Sequence, residues 1–210
     1  MIIIKSIASP AGSGLNFAQD LLRLAFKENN VNFTAVGHER KDMEEIKEKQ
    51  IALIRNPYDT IASGAERWLR VSGHKDHLGY ARLLEESDIE GIRESIKREE
   101  ERYYDFFYKI EDLDQVKIIS FETLTKNQDL FIDIVKEYYG LSHMKTKKTT
   151  DEEVFDKIRE RKNFNRIPRE QASGRTIINQ LVLEMYPKDQ WECWKIYLEI
   201  KSRLGEKVDV

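Results

Sequence analysis

Ile2-Ile3-Ile4-Lys5-Ser6-Ile7-Ala8-Ser9-Pro10-Ala11-Gly12-Ser13-Gly14-Leu15-Asn16-Phe17-Ala18 is the stretch on which the fold turns. Ile2, Ile3, Ile4 and Ile7 make a short β-branched run of the kind a fully buried parallel strand needs, and Ser9 to Gly14 ends it. Leu15, Ala18, Leu21, Leu22 and Ala25 then recur at three and four residues, an apolar helical stripe that stops at Asn29-Asn30. A glycine-rich turn between a buried strand and a helix lets main-chain N–H groups converge on a phosphate, with the positive helix end behind them. A plain tight turn would use the same letters. Gly14 is followed by Leu15-Asn16 and not by Lys-Ser or Lys-Thr, so the Walker-A signature of ATPases and kinases is absent.

Working outward, Val31 to Val36 reads as a second strand, Lys41 to Gln50 as an exposed helical segment and Ile51 to Ile54 as a third, buried strand. Strands that alternate with helices predict a parallel sheet with right-handed crossovers, and hence a three-layer α/β domain. Asn56 as N-cap, Pro57 at the first helical position and Asp59 in the first turn start a helix that runs to about Val71. Gly79 to Leu113 is helical in pattern, and its Tyr103-Tyr104-Asp105-Phe106-Phe107-Tyr108 cluster should lay an aromatic side on the core. Val116 to Phe121 reads as the fourth strand. A striped helix follows, through Leu130, Ile134 and Tyr138, and Gly140 caps it. From Lys145 the chain turns basic, with a loop over Asn163 to Gly174 and two last helices, Thr176 to Tyr186 and Lys188 to Leu204. The apolar set from Trp191 to Ile200 needs a partner surface, so the tail 142–210 is expected to pack back on the sheet of a 1–141 core, the whole of 1–210 being one domain.

The 210 residues suit one such domain. Lys+Arg number 35 and Asp+Glu 38, so no global field favours nucleic acid, and any anion site must be local. The single Cys193 excludes an intrachain disulfide and a multi-cysteine metal cluster. No long apolar run suggests a leader or a membrane span, and a cytoplasmic protein is the expectation.

Arg55 leaves the carboxyl end of the third strand and Ser63 sits two turns into the following helix, sharing a face with Thr60 and Arg67. An arginine fork with a hydroxyl beside it is a good clamp for a phosphate dianion at the place where open parallel sheets bind ligands. An Arg pairing with a carboxylate and a Ser filling a gap would give the same residues.

Here the chain resembles the P-loop sulfotransferases, which use 3′-phosphoadenosine 5′-phosphosulfate (PAPS). Gly12-Ser13-Gly14-Leu15-Asn16-Phe17 is similar to the family's phosphosulfate loop. Ile51-Ala52-Leu53-Ile54-Arg55-Asn56-Pro57-Tyr58-Asp59 with Ser63 is similar to its second signature, whose Arg and Ser bind the 3′-phosphate. Ile118 to Leu124 and Tyr139-Gly140-Leu141 extend the likeness to about residue 141. The resemblance implies PAPS as donor, no obligatory metal, and sulfuryl transfer to a hydroxyl or amine of a small-molecule or carbohydrate acceptor, with Arg55, Ser63 and the 12–17 loop binding the donor. A nucleotide-binding protein without transfer activity, and a small-molecule P-loop kinase, are the competing readings.

Two further places belong to this reading. His38 and Glu39 follow the second strand where the family carries the base that deprotonates the acceptor, and imidazole titrates near neutrality. The family's loop Lys or Arg is Gly12 here, so the positive charge it would place on the transferred group must come from elsewhere. Arg166, Arg169 and Arg175 are the candidates, because the family closes a basic C-terminal loop over the donor. A solvated charged loop would have the same composition.

Overall fold

The computed structural model describes residues 3–10, 14–72, 89–160 and 173–206, without the side chains of 68–72, 159 and 173–176. They divide into two compact units: 3–9, 14–55 and 109–160 form the first, and Pro10, 56–72, 89–108 and 173–206 the second.

The first unit is built on four parallel strands, β1 (Ile3–Ala8), β2 (Val31–Ala35), β3 (Gln50–Ile54) and β4 (Val116–Ser120), in the order β2-β1-β3-β4. β1 pairs with β2 through Ile7↔Ala35 and with β3 through Ile7↔Ile51, and β3 pairs with β4 through Leu53↔Ile119. All five positions of β3 are buried, as its apolar run required. The expected parallel sheet flanked by helices is therefore present.

Helix α1 (Leu15–Ala25) turns Ala18, Leu21, Leu22 and Ala25 into the core, where Phe26 and Phe33 meet at 5.3 Å between ring centroids. Helices α5 (Phe121–Lys126) and α6 (Gln128–Tyr139) follow β4; Phe131 and Val135 are fully buried, each contributing about 1.5–3 kcal/mol of apolar transfer. The Tyr139 hydroxyl donates to the Ser6 carbonyl, and burial pushes its pKa far up. The chain steps from β1 to β2 on one side and then to β3 on the other, so β1 and β3 flank the topological switch point.

Three expectations change in this unit, the first being that β4 ends at Ser120 and Phe121 opens a helix. Helix α2 covers only Arg40–Glu44 of the segment expected to be helical to Gln50. Gln50 instead opens β3, its side-chain amide donating to the Met43 and Ile46 carbonyls at 2.7 and 2.9 Å. The basic stretch after Lys145 contains helix α7 (Asp151–Glu160), which buries Val154 and Ile158 in the core containing α1. Thr150 caps it, its hydroxyl accepting from Glu153 N while the Glu153 carboxylate accepts from Thr150 N.

The second unit is helical. Helix α3 (Pro57–Ser72) packs on α4 (Ile89–Phe107) and α8 (Ser173–Met185), and α9 (Glu192–Arg203) packs on α3 and α4. Asn56 caps α3 as expected, its Oδ1 accepting from Tyr58 N at 2.9 Å. Trp191, Trp194, Tyr197 and Ile200 find their partner surface in these helices; Tyr58 lies 4.7 Å from the Trp191 ring and donates its hydroxyl to the Tyr186 carbonyl at 2.7 Å. Of the aromatic cluster, Tyr103, Phe106 and Phe107 are core, while Tyr104 and Tyr108 stack on each other at 5.2 Å.

Candidate functional site

The carboxyl ends of β1 and β3 carry the site, beginning with the N-terminus of α1. Gly14 is its N-cap, at φ 85° and ψ 15°, a left-handed conformation that penalises any side chain. A Cβ there would also overlap the Phe121 ring. Ala18 N donates to the Gly14 carbonyl at 3.0 Å, the first bond of the helix, so the amides of Leu15, Asn16 and Phe17 precede the ladder and point out of the helix end. Leu15 buries its side chain in the core and offers the site its main chain alone. Asn16 is half-buried, and the Phe17 ring rests on Phe155 of α7 at 5.4 Å. Gly12 and Ser13 lie outside the described residues.

Arg55 follows the last residue of β3. Its half-buried guanidinium lies over the Phe121 ring, 4.5 Å from the centroid, a cation–π contact. Gly14 and the Arg55 guanidinium thus both lie against the Phe121 ring. Sequence reasoning missed Phe121, which it placed as the end of a strand. The signal that could have found it is Ser120 followed by Thr123, because the Ser120 hydroxyl accepts from Thr123 N at 3.1 Å and starts a helix at Phe121. Ser63 is half-buried on α3 in the second unit; of its face-mates, Thr60 spends its hydroxyl on the Asn56 carbonyl at 3.0 Å and Arg67 is exposed.

His38 and Glu39 follow β2. The ladder runs on through Val36 N, which donates to the Ile7 carbonyl at 2.9 Å, and this brings His38 to the end of β1. There its Nδ1 lies 2.8 Å from the Ser9 carbonyl oxygen. Glu39 does different work. It forms a capping box with Asp42 at the start of α2, Glu39 N donating to Asp42 Oδ2 at 3.1 Å, and its carboxylate pairs with Lys41 at 2.7 Å. That hydrogen bond and charge raise the pKa of the exposed Lys41. Gly37 lies against this cap, and a Cβ there would make the Asp42 carboxylate shift.

Arg166 and Arg169 lie outside the described residues. Arg175 belongs to the first turn of α8, because that helix begins at Ser173 and not at Thr176. Among the described residues no group of three or more His, Cys, Asp or Glu is placed to hold a metal ion, and no helix is long and apolar enough to cross a membrane.

No protein-family model matches the chain, and no curated protein matches it. Solved structures similar to it include the crystal structure of mouse sulfotransferase SULT7A1 complexed with PAP, at a TM-score of 0.38 and 13% identity, over 80% of this chain and 69% of that one.

Proposed function

We propose that the protein is a sulfotransferase that moves a sulfuryl group from PAPS to a hydroxyl or amine of a small-molecule or carbohydrate acceptor. The observation that carries the reading is the arrangement at the switch point. A helix N-terminus opened by a left-handed glycine and a ring-mounted arginine lie at one strand edge, where they suit a ligand with phosphates at two positions. In this reading the α1 amides and the 12–17 loop hold the 5′-phosphosulfate. Arg55 binds the 3′-phosphate, and the sequence signature assigns Ser63 to the same group.

Transfer is in-line. The acceptor oxygen forms a bond to sulfur as the bond from sulfur to the bridging oxygen breaks, and 3′-phosphoadenosine 5′-phosphate (PAP) leaves with the electron pair. The acceptor's proton passes to His38 in preference to Glu39, whose carboxylate is engaged with Lys41 and with the start of α2. A sulfuryl group carries less charge than a terminal phosphate, so the protein's part is positioning and electrostatics. A cytoplasmic location belongs to the same reading and fits a buried, unpaired Cys193.

Gly12 favours one second reading, a protein that binds PAP-type nucleotides without transferring the group, since the family's loop cation is missing there. Incubation with PAPS and a panel of phenols, amines and sugars, followed by chromatography for PAP, separates the two. Acceptor-dependent PAP release supports the transferase; binding without release selects the second reading.

A further inference from the structure

We infer that the Ser9 main-chain carbonyl sets the tautomer of His38, so that Nδ1 carries the proton and Nε2 is the atom that receives the acceptor's proton. The inference rests on the transferase reading for its chemistry, but its geometry stands on one contact. A carbonyl oxygen can only accept, so at 2.8 Å from it Nδ1 must donate. In neutral imidazole the lone pair is then confined to Nε2.

The arrangement suits a base. Taking a proton at Nε2 leaves the Nδ1–H bond unbroken, and the bond becomes charge-assisted as the ring turns cationic. No ring flip is needed during turnover. Ser9 is a positioning residue acting through its main chain, and the surrounding structure holds it in place: its side chain is fully buried, and the ladder from Val36 N to the Ile7 carbonyl fixes β2 against β1 immediately before it. Ser9 also opens the segment that leads to Gly14 and α1.

The test has a spectroscopic arm and a substitution arm. Long-range proton–nitrogen correlation on ¹⁵N-histidine-labelled protein at pH 8, with His38 assigned among the four histidines by comparison with His38→Gln, reads the tautomer directly. The expected result is a protonated, pyrrole-type Nδ1 and a pyridine-type Nε2. A pyridine-type Nδ1, or a ring averaging between both forms, overturns the inference. His38→Asn keeps an amide N–H where Nδ1 was and has no group at Nε2, so it should retain the melting temperature and the response to PAP while losing transfer about 10²-fold or more. His38→Gln, whose amide reaches the Nε2 position instead, should lower the melting temperature. Wild-type transfer by His38→Asn overturns the role of Nε2. If the wild type transfers nothing from PAPS, the functional reading fails, while the tautomer measurement still decides the geometry.

Discussion

Gly14→Ala should be among the most damaging single-methyl additions in the chain, and its cost can be divided. One part is backbone: at φ 85° an L-residue costs about 1–2 kcal/mol relative to glycine. The other is packing, because the new Cβ would overlap the Phe121 ring on which Arg55 lies and displace it, an overpacking penalty of about 1–3 kcal/mol. The sum is about 2–5 kcal/mol. Gly140 supplies the control. It caps α6 at φ 70° with nothing within 4 Å of its would-be Cβ, so Gly140→Ala carries the backbone part alone. Urea unfolding of Gly14→Ala, Gly140→Ala, Phe121→Ala and the Gly14→Ala/Phe121→Ala pair measures each part. The double variant should recover about 1–3 kcal/mol relative to the sum of the singles, and Gly14→Ala should weaken PAP binding where Gly140→Ala does not. Equal costs for the two glycine variants, or strict additivity of Gly14→Ala with Phe121→Ala, would refute the packing of Gly14 against Phe121.

Two more outcomes are expected. Burial and the neighbouring Glu100 carboxylate, which accepts from Cys193 Sγ at 3.4 Å, push the thiol well above its ordinary value of 9.0; the folded state keeps a proton that the unfolded chain releases. The contribution is thus complete below about pH 9 and falls by up to about 1.4 kcal/mol per pH unit above it. Cys193→Ala should make the decline between pH 8 and 10 shallower in chemical denaturation, and the native thiol should resist a disulfide reagent at pH 8. If an arginine beyond residue 165 replaces the missing loop cation at Gly12, one of Arg166→Ala, Arg169→Ala and Arg175→Ala should reduce PAPS turnover about 10²-fold with PAP affinity nearly kept; three wild-type rates would exclude that compensation.

The parts of the fold that local chemistry dictates were legible in the sequence. The apolar run Ile51 to Ile54 announced a buried strand, and Asn56-Pro57 announced the helix after it, because capping is a short-range hydrogen bond. Gln50 was placed in the wrong element because its polarity argued for an exposed helix. Its side-chain NH2 donates instead to the Met43 and Ile46 carbonyls of the connection, contacts that depend on how that connection turns back on the strand. Helix α7 was hidden by the charge around Lys145, Lys147 and Lys148, although Thr150 with Glu153 and Val154 with Ile158 carried its cap and its stripe. Within the candidate site, Gly14 and Arg55 stood out by residue type. Phe121 did not, since a lone aromatic at a helix start has no periodicity and gains its role from Gly14 and Arg55, far away in the chain. The division of labour between His38 and Glu39 likewise depended on who each partner was, which spacing cannot show.

Calorimetric titration of PAP against adenosine 5′-phosphate, without Mg²⁺, in the wild type and in Arg55→Ala, tests the central claim most directly. A charge-assisted contact to a phosphate is worth about 1.5–3 kcal/mol, so the wild type should prefer PAP by about 10-fold to 100-fold. Arg55→Ala should bring the two affinities together while leaving the affinity for adenosine 5′-phosphate nearly unchanged. Equal affinities in the wild type, or a preference for PAP that survives Arg55→Ala, would contradict the assignment of Arg55 to a 3′-phosphate.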